Sequence, residues 1–256
     1  DHEGVDHEGV DHEGVDHEGV DHEGMDHEGM DMPMPGGIGL ASGQDDRDGL
    51  EMDVLHVPLG PVLPHWPAGL VLTCTLSGDV VVDATAEILD GGADHDGTPP
   101  EALSDDPRRD VVASRCDDAA GVLALAGWGS AAAEALAVRD RCLEGVPLED
   151  CATALRRLAR RVERSRTLRW SLHGLGVRED PSGADVLDRL RHRLREALSA
   201  ADPAAGAAPG GCAAVPPEDL PDLVTGLDLG AVRLVVASLD VDAAALRSRR
   251  EEDARA

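Results

Sequence analysis

From Leu50 onward the chain first alternates and then changes period. GLVLTCTL (69–76) and DVVVDATAEIL (79–89) carry β-branched and apolar residues at strand spacing, separated at Ser77-Gly78. That pattern predicts a β-hairpin. Residues 90–109 are dense in Gly, Asp and Pro and predict a loop. From Asp110 the pattern becomes helical. Ala119–Ala126 and Ser130–Leu143 read as two short helices parted around Gly127 and Gly129. Pro147 opens a longer helix, Leu148 to His173, with Ala152, Leu155, Ala159 and Val162 at i, i+3, i+4 spacing. Gly174 and Gly176 are suited to end it. Asp185–Ala200 reads as another amphipathic helix, after the Pro181-Ser182-Gly183 turn. Residues 201–217 form an Ala/Gly/Pro loop. The last helical region, Pro217–Ala245, is interrupted by Gly226 and Gly230, and a charged, fraying end follows. The expected fold class is α+β: a small N-terminal β-hairpin or sheet, then a mostly α-helical bundle, over residues 51–250.

Upstream of Leu50 no such pattern holds. Residues 1–30 are a pentapeptide repeated six times, DHEGV four times and DHEGM twice. A period of five fits neither a helix at about 3.6 residues nor a strand at about 2. A Gly in every copy costs a helix about 1 kcal/mol each, and almost nothing apolar is offered for burial. Residues 1–31 are therefore expected to be a disordered tail. Residues 32–50, rich in Gly, Pro and Asp, are expected to be a linker.

Charge narrows the classes of partner. The 256 residues hold 23 basic and 51 acidic side chains, for a net charge of −28. The tail contributes thirteen of the carboxylates and no arginine. A polyanion such as nucleic acid would be repelled, as would an anionic membrane surface. No run reaches the roughly 18–20 apolar residues that a membrane-spanning helix needs, so direct insertion is not expected. Five cysteines, Cys74, Cys116, Cys142, Cys151 and Cys212, are widely spaced and form no CxxC pair. Reduced thiols in the cytoplasm are the expectation. The chain has no Lys, Phe or Tyr, so its core must be built of Leu, Val and Ala.

Three groups of residues carry candidate chemistry. His2, His7, His12, His17, His22 and His27 recur once per repeat, each flanked by Asp and Glu. Imidazole suits Ni, Zn and Cu, and the carboxylates add oxygen donors. No tightly bound cofactor is expected beyond such an ion on the tail. The plainer reading is a repeat that expanded by slippage and solubilises the chain. Arg157, Arg160, Arg161 and Arg164 share one helical face within a run of seven arginines from Arg156 to Arg169. They read either as a docking stripe for an acidic partner or as a solvated face paired with carboxylates of neighbouring helices or of the tail. His65 and Trp66 lie between two prolines, as a degenerate substrate loop or as a rigid packed turn. His56 and Cys74, near strands, read as packing residues. No nucleophile elbow is present. Gly36-Gly37-Ile38-Gly39 follows no strand and is not a dinucleotide loop.

Three blocks resemble a known family. GPVLPHWPAGLVLTCTLSGDVVVDA (60–84) is similar to the start of the hydrogenase-like subunit of bacterial NADH–quinone oxidoreductase, respiratory complex I, a relative of the large subunit of nickel–iron hydrogenases. AEALAVRDRCLEGVPLEDCATALRRLARRVERSRTL (133–168) resembles that family's two consecutive helices joined by a Val-Pro turn. PGGCAAVPPEDL (209–220) resembles its Pro-Gly-Gly loop before a Leu-Pro. The departures lie where the family does its chemistry. Leu63-Pro64 stands in the place of a His-Pro, and His65 falls one residue later. Ala68 replaces the His before Gly69. The tyrosine that helps hold the quinone headgroup has no counterpart, nor do the CxxC pairs that hold the hydrogenase metal. The chain is also shorter than the family. The resemblance thus implies a fold and an assembly context with the chemistry lost. The implied function is a non-catalytic accessory or assembly subunit, with other subunits of a membrane-associated oxidoreductase complex as partners. Its place would be the cytoplasm, peripheral to the inner membrane through those subunits. Two alternatives stay open: a Ni, Zn or Cu buffer or metallochaperone acting through the tail, and a quinone-reducing subunit using His65.

Overall fold

The computed structural model describes residues 42–45, 51–89, 104–177, 183–206 and 214–241, all within one unit spanning Ala41–Ala256. The tail, with its six histidines, lies outside the described residues. The chain is α+β, with an antiparallel sheet preceding a set of helices. Among the described residues the sheet has four strands in sequence order: β1 (Ser42–Asp45), β2 (Glu51–Leu59), β3 (Leu70–Ser77) and β4 (Val80–Ile88). β1 lies inside the stretch that reads as linker, and β2 lies where the pattern predicts no strand. Pro58 hides β2 from a pattern reading, because a proline cannot donate to a ladder. Among the described residues β1 pairs with Glu51–Val54 and no strand faces Pro58 on that side, where a missing N–H is tolerated.

The hairpin forms as the alternation requires. Leu70, Leu72, Cys74 and Leu76 point inward along β3. Gly78 takes the positive φ of 65° that the two-residue turn needs. On β4 the inward positions run Val81, Ala84 and Ile88, which breaks strict alternation. The cause is a bulge: Thr75 pairs with Asp83 but Leu76 pairs with Val81, leaving Val82 without a partner on β3. The start of β4 is covered by residues 226–228. Val81 donates to the Leu227 carbonyl at 2.9 Å and accepts from Gly226 at 2.7 Å. That contact shields part of a strand edge from other chains.

Seven α-helices follow among the described residues: α1 (Pro107–Leu125), α2 (Gly129–Leu143), α3 (Leu148–Arg164), α4 (Arg166–Leu172), α5 (Val186–Ala201), α6 (Leu220–Val224) and α7 (Leu229–Ser238). α1 replaces the loop end and short helix that the pattern suggests. Pro107 sits at its first turn and Asp106 caps it, accepting from the Arg108 amide at 3.0 Å. A Pro and an Asp that read as loop residues are thus the helix start. The long helix expected over 148–173 is broken at Ser165. Its backbone is extended there, and its hydroxyl caps α4 by accepting from the Leu168 amide at 3.2 Å. α5 has the expected limits, with Asp185 as its cap.

α1 is buried on most sides because α2, α5 and α7 all pack on it. The main core joins the inner sheet face to α1, α5, α6 and α7. A smaller core sits where α1, α2, α3 and α5 meet and includes Cys116, Cys142 and Cys151. Arg109 ties that end together, donating to the carbonyls of Cys142 at 2.7 Å and Val146 at 2.9 Å. No helix among the described residues is long and apolar enough to cross a membrane.

Candidate functional site

The arginine stripe becomes a groove. α3 buries Cys151, Ala152, Leu155, Leu158 and Val162, which turns the arginines outward. Each fully buried leucine on that face contributes about 1.5–3 kcal/mol, so the orientation of the stripe is set by the core. Arg157, Arg160, Arg161 and Arg164 line one shallow depression of about 520 Å³ with Trp128 and Ser165. Trp128 comes from the turn before α2, where its carbonyl accepts from the Ala131 and Ala132 amides. The Arg161 guanidinium lies over the indole, 5.2 Å from the ring centroid, a distance at which a cation is attracted to the ring face. Arg161 also pairs with Glu134 of α2, and Arg156 pairs with Asp202 away from the groove. Arg157, Arg160 and Arg164 are exposed and have no carboxylate partner among the described residues. Beyond the Ser165 break, α4 adds Arg166, Arg169 and Trp170, whose indole is 86% exposed.

His65 and Trp66 stand apart from this groove, on the loop between β2 and β3. The Trp66 indole N–H donates to the Leu70 carbonyl at 2.8 Å. Gly60 is required beneath it: with φ 98°, a Cβ there would lie 2.1 Å from that same carbonyl oxygen. His65 has φ 59°, the one positive φ outside glycine among the described residues. Its ring rests on α1 at Gly121. The two residues line a cleft of about 380 Å³ with Asp117, Asp118, Gly121, Arg193 and Asp240.

The floor of that cleft is a charge network that spacing does not reveal. Arg115 reaches Glu196 at 2.9 Å, Asp118 at 3.1 Å and Asp240 at 3.2 Å. Buried Arg193 donates to the Ala237 carbonyl at 2.9 Å and meets Asp240 at 3.2 Å. Burial pushes the Asp118 carboxyl up, and Arg193 and Arg115 only partly offset it. These residues come from α1, α5 and the end of α7, up to more than a hundred positions apart. Trp128, which lines the groove, and Glu134, which pairs with Arg161, are likewise missed by the sequence pattern; the only signal is a Trp between glycines ahead of a helix.

His2, His7, His12, His17, His22 and His27, the tail's expected Ni, Zn or Cu ligands, lie outside the described residues. Among the described residues no group of three or more His, Cys, Asp or Glu is placed to hold a metal ion. His56 is exposed on β2, with Nδ1 3.0 Å from the Thr75 hydroxyl, rather than buried as expected. Cys74 packs inside β3, where burial pushes its thiol up. Comparison with family models, with curated proteins and with solved structures finds no match to this chain.

Proposed function

We propose that this chain is a non-catalytic accessory or assembly component of an oxidoreductase complex related to respiratory complex I or the nickel–iron hydrogenases, held to an acidic partner through its arginine groove. The observation that carries this reading is the state of Arg157, Arg160 and Arg164. Arg109 is engaged with carbonyls, Arg115 and Arg193 with carboxylates and Arg139 with Asp117, whereas Arg141 of α2 and Arg166 and Arg169 of α4 share with the groove arginines the lack of a carboxylate partner among the described residues. What sets the three on the groove apart is that they gather in one depression beside an aromatic ring, without a carboxylate partner among the described residues, in a chain of net charge −28. Arginine and tryptophan are the residues that dominate interface energetics. A sheet followed by helices is also the order that the resemblance to the hydrogenase-like subunit implies. Native electrophoresis of the source cell's membranes, probed for this chain, tests the reading. Comigration with a complex that oxidises NADH or hydrogen is expected; migration at the mass of the free chain contradicts it.

A second reading rests on the tail. Six histidines among carboxylates form a flexible chelator for Ni, Zn or Cu, and a metal buffer or metallochaperone would use them while the body docks.

A further inference from the structure

Glu134 of α2 already pairs with one arginine of the groove. Its carboxylate pairs with Arg161, which is stacked over Trp128. The side chains of Arg161 and Glu134 are 40% and 49% exposed, so both are within reach of a competitor. Among the described residues one carboxylate thus serves a depression lined by four arginines. We propose that Glu134 is an internal stand-in for a carboxylate of the partner, and that a short acidic polypeptide segment binds the Trp128–arginine groove by displacing Glu134 from Arg161. This rests on the docking function proposed above.

The shape of the charge favours a short peptide over other polyanions. Arg157, Arg160, Arg161 and Arg164 form a narrow stripe on one helix face, about 10 Å long at 1.5 Å per helical residue. A run of glutamates can place a carboxylate on each guanidinium and its methylenes on the indole. A duplex or an anionic vesicle is broad, and the long-range field of a chain with net charge −28 repels it. A short segment meets mainly the local row, because charges beyond about 8–10 Å are screened at physiological salt. Glu134 therefore has two effects in the free protein. It holds Arg161 over Trp128, which keeps the groove in shape, and it cancels one of the four charges that the partner needs.

The consequence is unusual for the loss of an ion pair: removing Glu134 should tighten binding. The test titrates the full-length chain with an octaglutamate peptide, followed by tryptophan fluorescence, which no Tyr or Phe obscures. Octaglutamine and vesicles containing phosphatidylserine are run alongside. Octaglutamate is expected to bind and octaglutamine is not. Glu134→Gln, with Glu134→Ala as a second variant, should bind octaglutamate about two- to five-fold more tightly, the scale of one exposed ion pair. The triple variant Arg157→Gln, Arg160→Gln, Arg164→Gln should weaken binding about ten-fold or more. Equal affinity of the wild type and both Glu134 variants would overturn the stand-in role and leave the docking function standing. Absence of octaglutamate binding, or tighter binding to the vesicles, would overturn both.

Discussion

Gly121 leaves the space that His65 fills. A Cβ at position 121 would lie 3.2 Å from both the Cβ and the Nδ1 of the imidazole. The β2–β3 loop is seated on α1 through that notch, with His65 held at φ 59°. Gly121→Val should therefore lower stability by about 1–3 kcal/mol, as overpacking does. His65→Gly removes the ring and suits the left-handed backbone. In a double-mutant cycle by urea unfolding, the two changes should couple by more than about 0.5 kcal/mol. Strict additivity would show that the loop is not seated on α1.

Asp185 sets an acid limit on stability. It caps α5 by accepting from the Asp188 amide at 2.8 Å, and it also accepts from the Gly174 amide at 2.8 Å and meets His173 Nδ1 at 2.9 Å. Burial alone would push its carboxyl up, but the two amides and His173 outweigh that and hold it below the usual carboxylate value. The folded chain thus binds this proton more weakly than the unfolded one. The stabilisation is full above the ordinary carboxylate range and drains away as pH falls through the lower, folded-state value. Asp185→Ala should cost about 0.5–2 kcal/mol at neutral pH, the range for loss of a helix cap. The gap between the variant and the wild type should narrow in acid. Unfolding curves at pH 7 and pH 3 that keep the same gap would contradict this.

The three thiols of the smaller core should be inert in the native state. Burial, and then the neighbouring Cys142 and Cys151, push the Cys116 thiol up to about 12. Cys142 is raised mainly by burial, and Cys151 is fully buried. Because the thiolate is the nucleophile, iodoacetamide at pH 8 should leave Cys116, Cys142 and Cys151 unmodified until urea is added. Peptide mass spectrometry showing native alkylation at any of the three would indicate that this core opens.

Metal binding by the tail is expected to be multisite and to follow histidine protonation. Imidazole ligates only when neutral, and its ordinary pKa is about 6.5. Ni²⁺ or Zn²⁺ uptake should fall sharply as pH drops through that region. Replacing His2, His7, His12, His17, His22 and His27 with Gln keeps every carboxylate. If calorimetry then finds undiminished uptake, the histidines are not the chelator.

How much of this is legible in the sequence depends on the range of the interactions. The β3–β4 hairpin shows in its alternation because each inward residue of β3 repeats every two positions. The arginine face of α3 shows in its i, i+3, i+4 spacing, since the helix itself brings those residues together. β2 does not show, because Pro58 argues against a strand until its place in the sheet is known. The break at Ser165 does not show either, because no Gly or Pro marks it; a serine hydroxyl capping α4 sets it. The groove and the cleft are only half visible. Trp128 reaches Arg161, and Gly121 reaches His65, only through packing between separate elements, and no local pattern encodes that.

Quantitative affinity purification from the source cell tests the docking role most directly. The wild-type chain and the Arg157→Gln, Arg160→Gln, Arg164→Gln variant are each recovered, and their partners are compared by mass spectrometry. Because the substitutions lie on an exposed face, both chains should show the same melting temperature within about 1–2 °C, consistent with surface changes of under roughly 0.5 kcal/mol. Subunits of an NADH- or hydrogen-oxidising complex should accompany the wild type and be lost from the variant. Recovery of the same subunits with both chains, or of none with either, would contradict the role assigned to the arginine groove.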